Sequence, residues 1–95
     1  MLVLSLCSYC ATARGSPQHA WLSRAVGSID RATTPWVVVM MHAPWYSSNT
    51  HHWEEAELSR LDFEPLLASA HVDLVISGHV HAFERTRPMA DFKPT

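Results

Sequence analysis

The chain has 95 residues, a formal charge of −2, 47% apolar and 17% charged content. That allows one domain at most, with a thin core, and it reads as globular rather than disordered. A charge of −2 lacks the basic excess of a nucleic-acid footprint, and no segment approaches the roughly 20 apolar residues of a membrane span.

Residues 1–15, MLVLSLCSYCATARG, open the chain. An export signal needs a basic residue ahead of a longer apolar run, about 7–15 residues. A buried strand over Leu2–Leu6 fits better. Cys7 and Cys10 form one CxxC. A redox pair or half a zinc site uses that spacing, but no second pair exists and no helix start follows Cys7. Two ordinary, semi-buried cysteines are expected.

Ser16 followed by Pro17 gives a helix start, a serine cap with proline at the first helical position. Trp21, Leu22, Ala25, Val26 and Ile29 then recur at helical spacing. Residues 36–41, WVVVMM, are apolar and β-branched, which predicts a strand covered on both faces. The order strand, helix, strand suggests a βαβ crossover. The stretch HAPWYSSNTHHWEEAE is loop-like, with a helical turn around Trp53–Leu58. Asp62 is expected to cap a helix over Phe63–Ala70, with Pro65 tolerated in its first turn. Residues 72–77, VDLVIS, are the third strand, and the tail from Glu84 has no clear element.

Seven histidines are the compositional oddity. His42 directly follows the second strand; His79 and His81 follow the third. In α/β sheets, ligands bind beyond the carboxyl ends of the strands. Parallel strands would bring these three to one rim. Extended residues two apart share a face at roughly 6.5–7 Å, so His79 and His81 are expected to share one metal or to serve an adjacent pair of ions. Gly78 is expected to make the bend toward them. His51 and His52 lie in the following loop, with Glu54 and Glu55 behind them. His19 and His71 lack such context and are expected at the surface or at helix ends.

At these residues the sequence resembles a known family. VMMHAPWY (39–46) and GHVHAFER (78–85) resemble the last two metal-binding motifs of the purple acid phosphatases, within the calcineurin-like metallophosphoesterases. GHxH alone is a weak signal; GHVH about forty residues after an HAPWY block is a strong one. The resemblance implies an α/β fold, the C-terminal portion of a two-sheet sandwich with strand-helix-strand units. Residues 1–95 would be part of one catalytic domain. It implies that His42 and His79 ligate a divalent ion and that His81 ligates a ferric ion. His51 and His52 would contact the substrate phosphate, one of them protonating the leaving alcohol, with Glu55 a supporting carboxylate. The implied cofactor is a binuclear centre of ferric iron plus zinc, manganese or iron. The implied activity is acid hydrolysis of phosphate monoesters by a metal-bound hydroxide, in a secreted or vacuolar protein.

The family's GDxG, GDxxY and GNHE elements have no counterpart here. Asp30, Asp62 and Asp73 sit at the wrong end of the strands, leaving Glu54, Glu55 and Asp91 as the only carboxylates in reach. Three imidazoles suit a single zinc or copper ion. A truncated chain with little or no phosphatase activity is therefore expected, the N-terminal part of the domain being its implied partner. The alternatives are a non-catalytic module holding one divalent transition metal through His42, His79 and His81, and, far behind, a thiol–disulfide protein.

Overall fold

Branched and apolar side chains favour pleated backbone, and the three runs that carry them form the sheet. A computed structural model describes residues 1–95. Strands β1 (Leu2–Ser5), β2 (Val37–Met41) and β3 (Leu74–Ser77) pair in parallel, in the order β1-β2-β3. Leu4 pairs with Val39, and Met41 with Ser77. Helix α1 (Pro17–Gly27) connects β1 to β2, and α2 (Glu57–Ser69) leads into β3. The tail forms a small hairpin, β4 (Met89–Ala90) with β5 (Lys93–Pro94).

The start of α1 is as expected: Ser16 Oγ accepts from the His19 amide at 3.2 Å, and Pro17 takes the first helical position. Helix α2 differs. It begins at Glu57, five residues before the expected cap, and Asp62 lies inside it, accepting from Thr12 Oγ1 at 2.7 Å. Arg60 explains the early start. It bonds Glu57 through Nε and Nη2 at 2.9 and 2.6 Å, and Glu64 through Nη1 at 2.7 Å, knitting the first two turns together. Pro65 is consequently mid-helix, where it withdraws one backbone bond.

The core is one-sided. Leu4, Leu6, Val37, Val39 and Met41 from the sheet pack with Leu22 of α1 and with Phe63 and Leu67 of α2. The expectation that β2 is covered on both faces fails: Met40 is 46% exposed and Val38 only half-buried. Both helices sit on the other face, so no helix packs on this one. Every residue of β3 is exposed.

The amino ends of the strands are locked by charge. Asp73 Oδ2 accepts from Arg31 Nη1 at 2.7 Å and from the Val37 amide at 2.9 Å. Arg31 Nη2 also donates to the carbonyls of Ala70 and His71. Asp73 is thus at the end of the sheet away from the histidines, as expected, with its Oδ2 engaged there.

Candidate metal centre

Strand β2 ends at Met41, yet its pairing with β3 runs one step further: the Gly78 amide donates to the His42 carbonyl at 3.0 Å. That step sets His42 and His79 side by side at the carboxyl rim. His79 adopts φ 66°, and the Val80 amide closes onto the Gly78 carbonyl at 2.7 Å. This is a γ-turn of the rarer, strained hand, centred on the histidine. The expected bend at Gly78 is therefore made by His79. A Cβ at residue 78 would meet only the His42 oxygen, at 4.0 Å, an ordinary contact.

The γ-turn also removes the extended geometry expected of His79 and His81. A second such closure, Ala82 amide to Val80 carbonyl at 2.9 Å, is centred on His81. His79 turns into a cluster of rings. His81 stays exposed and takes no part in the hydrogen bonds or ring contacts of that cluster.

The cluster is closely built. His42 Nε2 lies 2.9 Å from His79 Nδ1. His79 Nε2 lies 3.2 Å from Glu55 Oε1, and His52 Nδ1 lies 2.5 Å from Glu55 Oε2. The His52 and His79 rings stack at 3.7 Å between centroids, and His51 packs edge-on against His52 at 4.1 Å. His52 is itself left-handed, with φ 62°, as is Glu54. Hydrogen bonds from His79 first, and from His52, hold the Glu55 carboxyl below its ordinary range. An ionised carboxylate only accepts, so both His79 Nε2 and His52 Nδ1 carry hydrogens. A neutral His79 then has a bare Nδ1, facing His42.

The donor set fits a borderline divalent ion. Two ligands of one tetrahedral zinc lie about 3.3 Å apart, given Zn–N distances near 2.0–2.1 Å. The 2.9 Å between His42 Nε2 and His79 Nδ1 needs little opening to match. Glu55 behind Nε2 supplies the carboxylate that fixes a ligating histidine's tautomer. His52, Glu55 and His79 also form a group whose donor atoms all lie within 4.8 Å of one another. The set does not fit a ferric ion, which favours several oxygen anions. Glu55 is the one carboxylate in the cluster. Glu54 is exposed and outside the group, Glu84 bonds Ser48, and Asp91 is 79% exposed near Arg60.

A cleft of about 230 Å³ opens beside His52, bounded by Tyr46, Ser48, Trp53, Glu84 and Phe92. A larger hollow of about 320 Å³, near Leu2, Ile29 and Thr33, lies away from every histidine and is not the site.

Two features were missed from sequence. Cys7 and Cys10 are disulfide-bonded and exposed, not semi-buried thiols. A turn over residues 8–10 brings their Cα atoms to 5.4 Å, within disulfide reach. Tyr9, between them, lies against His42 and His79 at 5.9 and 6.5 Å. The CxxC was the available signal. His19, expected at the surface or a helix end, does lie in the first turn of α1, where it packs against Phe63 at 5.9 Å.

The family model for the calcineurin-like phosphoesterases matches residues 6–83. The chain belongs to this family. Within it, the chain is 54% identical over 70 residues to purple acid phosphatase 22 of Arabidopsis thaliana, covering 74% of this chain and 16% of that protein. It is 39% identical over 89 residues to a purple acid phosphatase of Glycine max, covering 94% of this chain and 19% of the other. The solved structure of a purple acid phosphatase from yellow lupin seeds superposes with a TM-score of 0.88 at 26% identity, covering 98% of this chain and 17% of that one. The chain thus spans about a fifth of the length of the curated phosphoesterases it matches.

Proposed function

We propose that this calcineurin-like phosphoesterase chain carries the histidine side of a metal-dependent phosphomonoesterase centre. The observation that supports this best is the convergence of His42 Nε2 and His79 Nδ1 at 2.9 Å, backed by Glu55. On this reading residues 1–95 are part of a catalytic domain, and His42 and His79 hold a divalent ion. His81, on the next turn, serves the second metal of a two-metal centre. A bound ion supplies water activation and neutralises phosphate charge.

The chain's own residues act on the leaving-group side. Glu55 occupies His52 Nδ1, so Nε2 is the nitrogen free to carry a proton toward a leaving alcohol. His51, packed on His52, is assigned the contact with a phosphate oxygen. Glu55 orients both His52 and His79, so protonating it would loosen both rings together. The substrate class is phosphate monoesters. A ferric partner needs oxygen anions that this chain does not bring to the cluster, so hydrolysis by the chain alone is expected to be slight.

A second reading is a one-metal site without turnover. The tight group of His52, Glu55 and His79 favours it. Calorimetric titration with zinc, alongside hydrolysis of 4-nitrophenyl phosphate with zinc, manganese and iron, tests both. One zinc per chain is expected, lost in His79→Ala and weakened about 10–100-fold in Glu55→Gln. Zinc binding that ignores His42→Ala and His79→Ala would sink the metal-centre reading. Zinc binding that depends on His52 and Glu55 but not on His42 would favour the second.

A further inference from the structure

Residues 6–16 connect β1 to α1 and pass over the rim that carries His42. Beyond Met41 the β2 ladder no longer serves the amides of His42 and Ala43. Ser8 serves them instead: its Oγ accepts from His42 N–H at 3.1 Å and from Ala43 N–H at 3.0 Å. One hydroxyl thereby fixes the turn that presents His42. The next residue, Tyr9, lies against the His42 and His79 rings. Gln18 of α1 anchors the other side of this loop. Its Oε1 accepts from Cys7 N–H at 2.7 Å, and its Nε2 donates to the Cys7 carbonyl at 3.1 Å.

Ser8 and Tyr9 are the two residues enclosed by the Cys7–Cys10 bridge. A loop this short restrains the unfolded chain only weakly, so the bridge acts mainly on local geometry. Both cysteines are exposed and open to a thiol reagent.

We propose that the Cys7–Cys10 loop is the positioning element of His42, and that its reduction releases His42 from its place beside His79. The step is a two-electron exchange. A dithiol reductant gives up two electrons and two protons, the Cys7–Cys10 S–S bond breaks, two thiols form, and the reductant becomes a disulfide. The loop is then a redox gate on the candidate metal centre. The gating, though not the positioning, rests on the reading of His42 and His79 as metal donors.

Amide hydrogen exchange on the metal-free full chain tests the positioning. Reduction should speed exchange at His42 and Ala43 by roughly ten-fold, the loss of one hydrogen bond each, while Val38 and Val39 keep their rates. Ser8→Ala should reproduce this in the oxidised chain, and Ser8→Thr, which keeps a hydroxyl, should reverse it. Unchanged exchange at His42 and Ala43 on reduction would overturn the proposal. Zinc titration tests the gate in the Cys7→Ser, Cys10→Ser double variant, which has no thiols to bind zinc itself. Affinity should fall about ten-fold, with the same loss in Ser8→Ala and recovery in Ser8→Thr. Full affinity in the double variant would overturn the gate. Zinc affinity indifferent to His42→Ala would overturn the metal reading and the gate with it, and the exchange data would still decide the positioning. Should the double variant not fold, exchange in the reduced native chain decides the positioning, and full zinc affinity in Ser8→Ala would overturn the gate.

Discussion

His79 occupies a backbone region that few non-glycine residues adopt, and its neighbour Gly78 does not need the freedom that glycine offers. Strain held on a chemically active residue marks a functional site more often than a turn of convenience. The two histidines at strand ends, His42 and His79, were legible because their positions follow from two apolar runs and one rule of α/β sheets. The fate of His81 was not. Alternation in sequence translates into a shared face only if the backbone stays extended, and two successive γ-turns are invisible to any period count. Asp73 was legible as misplaced, but its partner was not, because Arg31 lies 42 residues away in sequence. The Val37 amide first, and Arg31 second, hold the Asp73 carboxyl below its ordinary range. Its folded value lies below its unfolded one. Its contribution to stability is therefore complete above about pH 4 and is lost as pH falls through the depressed value. Thermal melts of Asp73→Asn should accordingly show a shallower loss of midpoint on acidification below about pH 4 than the native chain. An identical acid slope in the two would show that Asp73 is not linked to folding.

At the scale of elements, α1 could be read from Ser16 and Pro17, which is capping chemistry carried by adjacent residues. Helix α2 could not. Its N-cap is Ala56, which offers no side-chain acceptor, and its first turns are held by Arg60 between Glu57 and Glu64. Asp62 looked like a cap because it precedes an apolar stretch, but the helix was already under way. The Arg60 network extends further than the helix. Glu64 also accepts from Tyr46 Oη and from the Asp91 amide, and the Arg60 guanidinium covers the Phe92 ring at 4.4 Å. These contacts fold the tail hairpin back onto α2, an arrangement for which the prolines and short polar residues of the tail gave no periodic sign. Burial and Glu64 together raise the Tyr46 hydroxyl above its ordinary range. Pro65 is exposed and withdraws the bond to the Leu61 carbonyl. Pro65→Ala restores that bond and should stabilise the chain by about 1–3 kcal/mol. In a chain of this size that moves the melting midpoint upward by roughly 4–8 °C per kcal/mol. A lowered midpoint would mean that the proline ring makes packing contacts worth more than the bond.

At the scale of the molecule, the crossover between the first two strands came through from the strand, helix, strand alternation, whereas the order β1-β2-β3 came only from the structure. Coverage did not come through either. A run such as Val37–Met41 looks the same whether one face or two are packed, since the partner of the second face leaves no trace in the run itself. In this chain Val3, Met40 and Ile76, on the face away from the helices, are 43%, 46% and 46% exposed. Met40→Thr should therefore leave the melting midpoint almost unchanged, within about 0.5 kcal/mol, while lowering the fluorescence of a dye that binds apolar surface. A large drop in stability would show that Met40 is packed in solution. None of these three side chains belongs to the packed core of residues 1–95. A substitution scan of the chain on its own would accordingly score them as free to vary. The same scan would misjudge them in any longer protein built on this sheet, where a methyl group out of place would be felt.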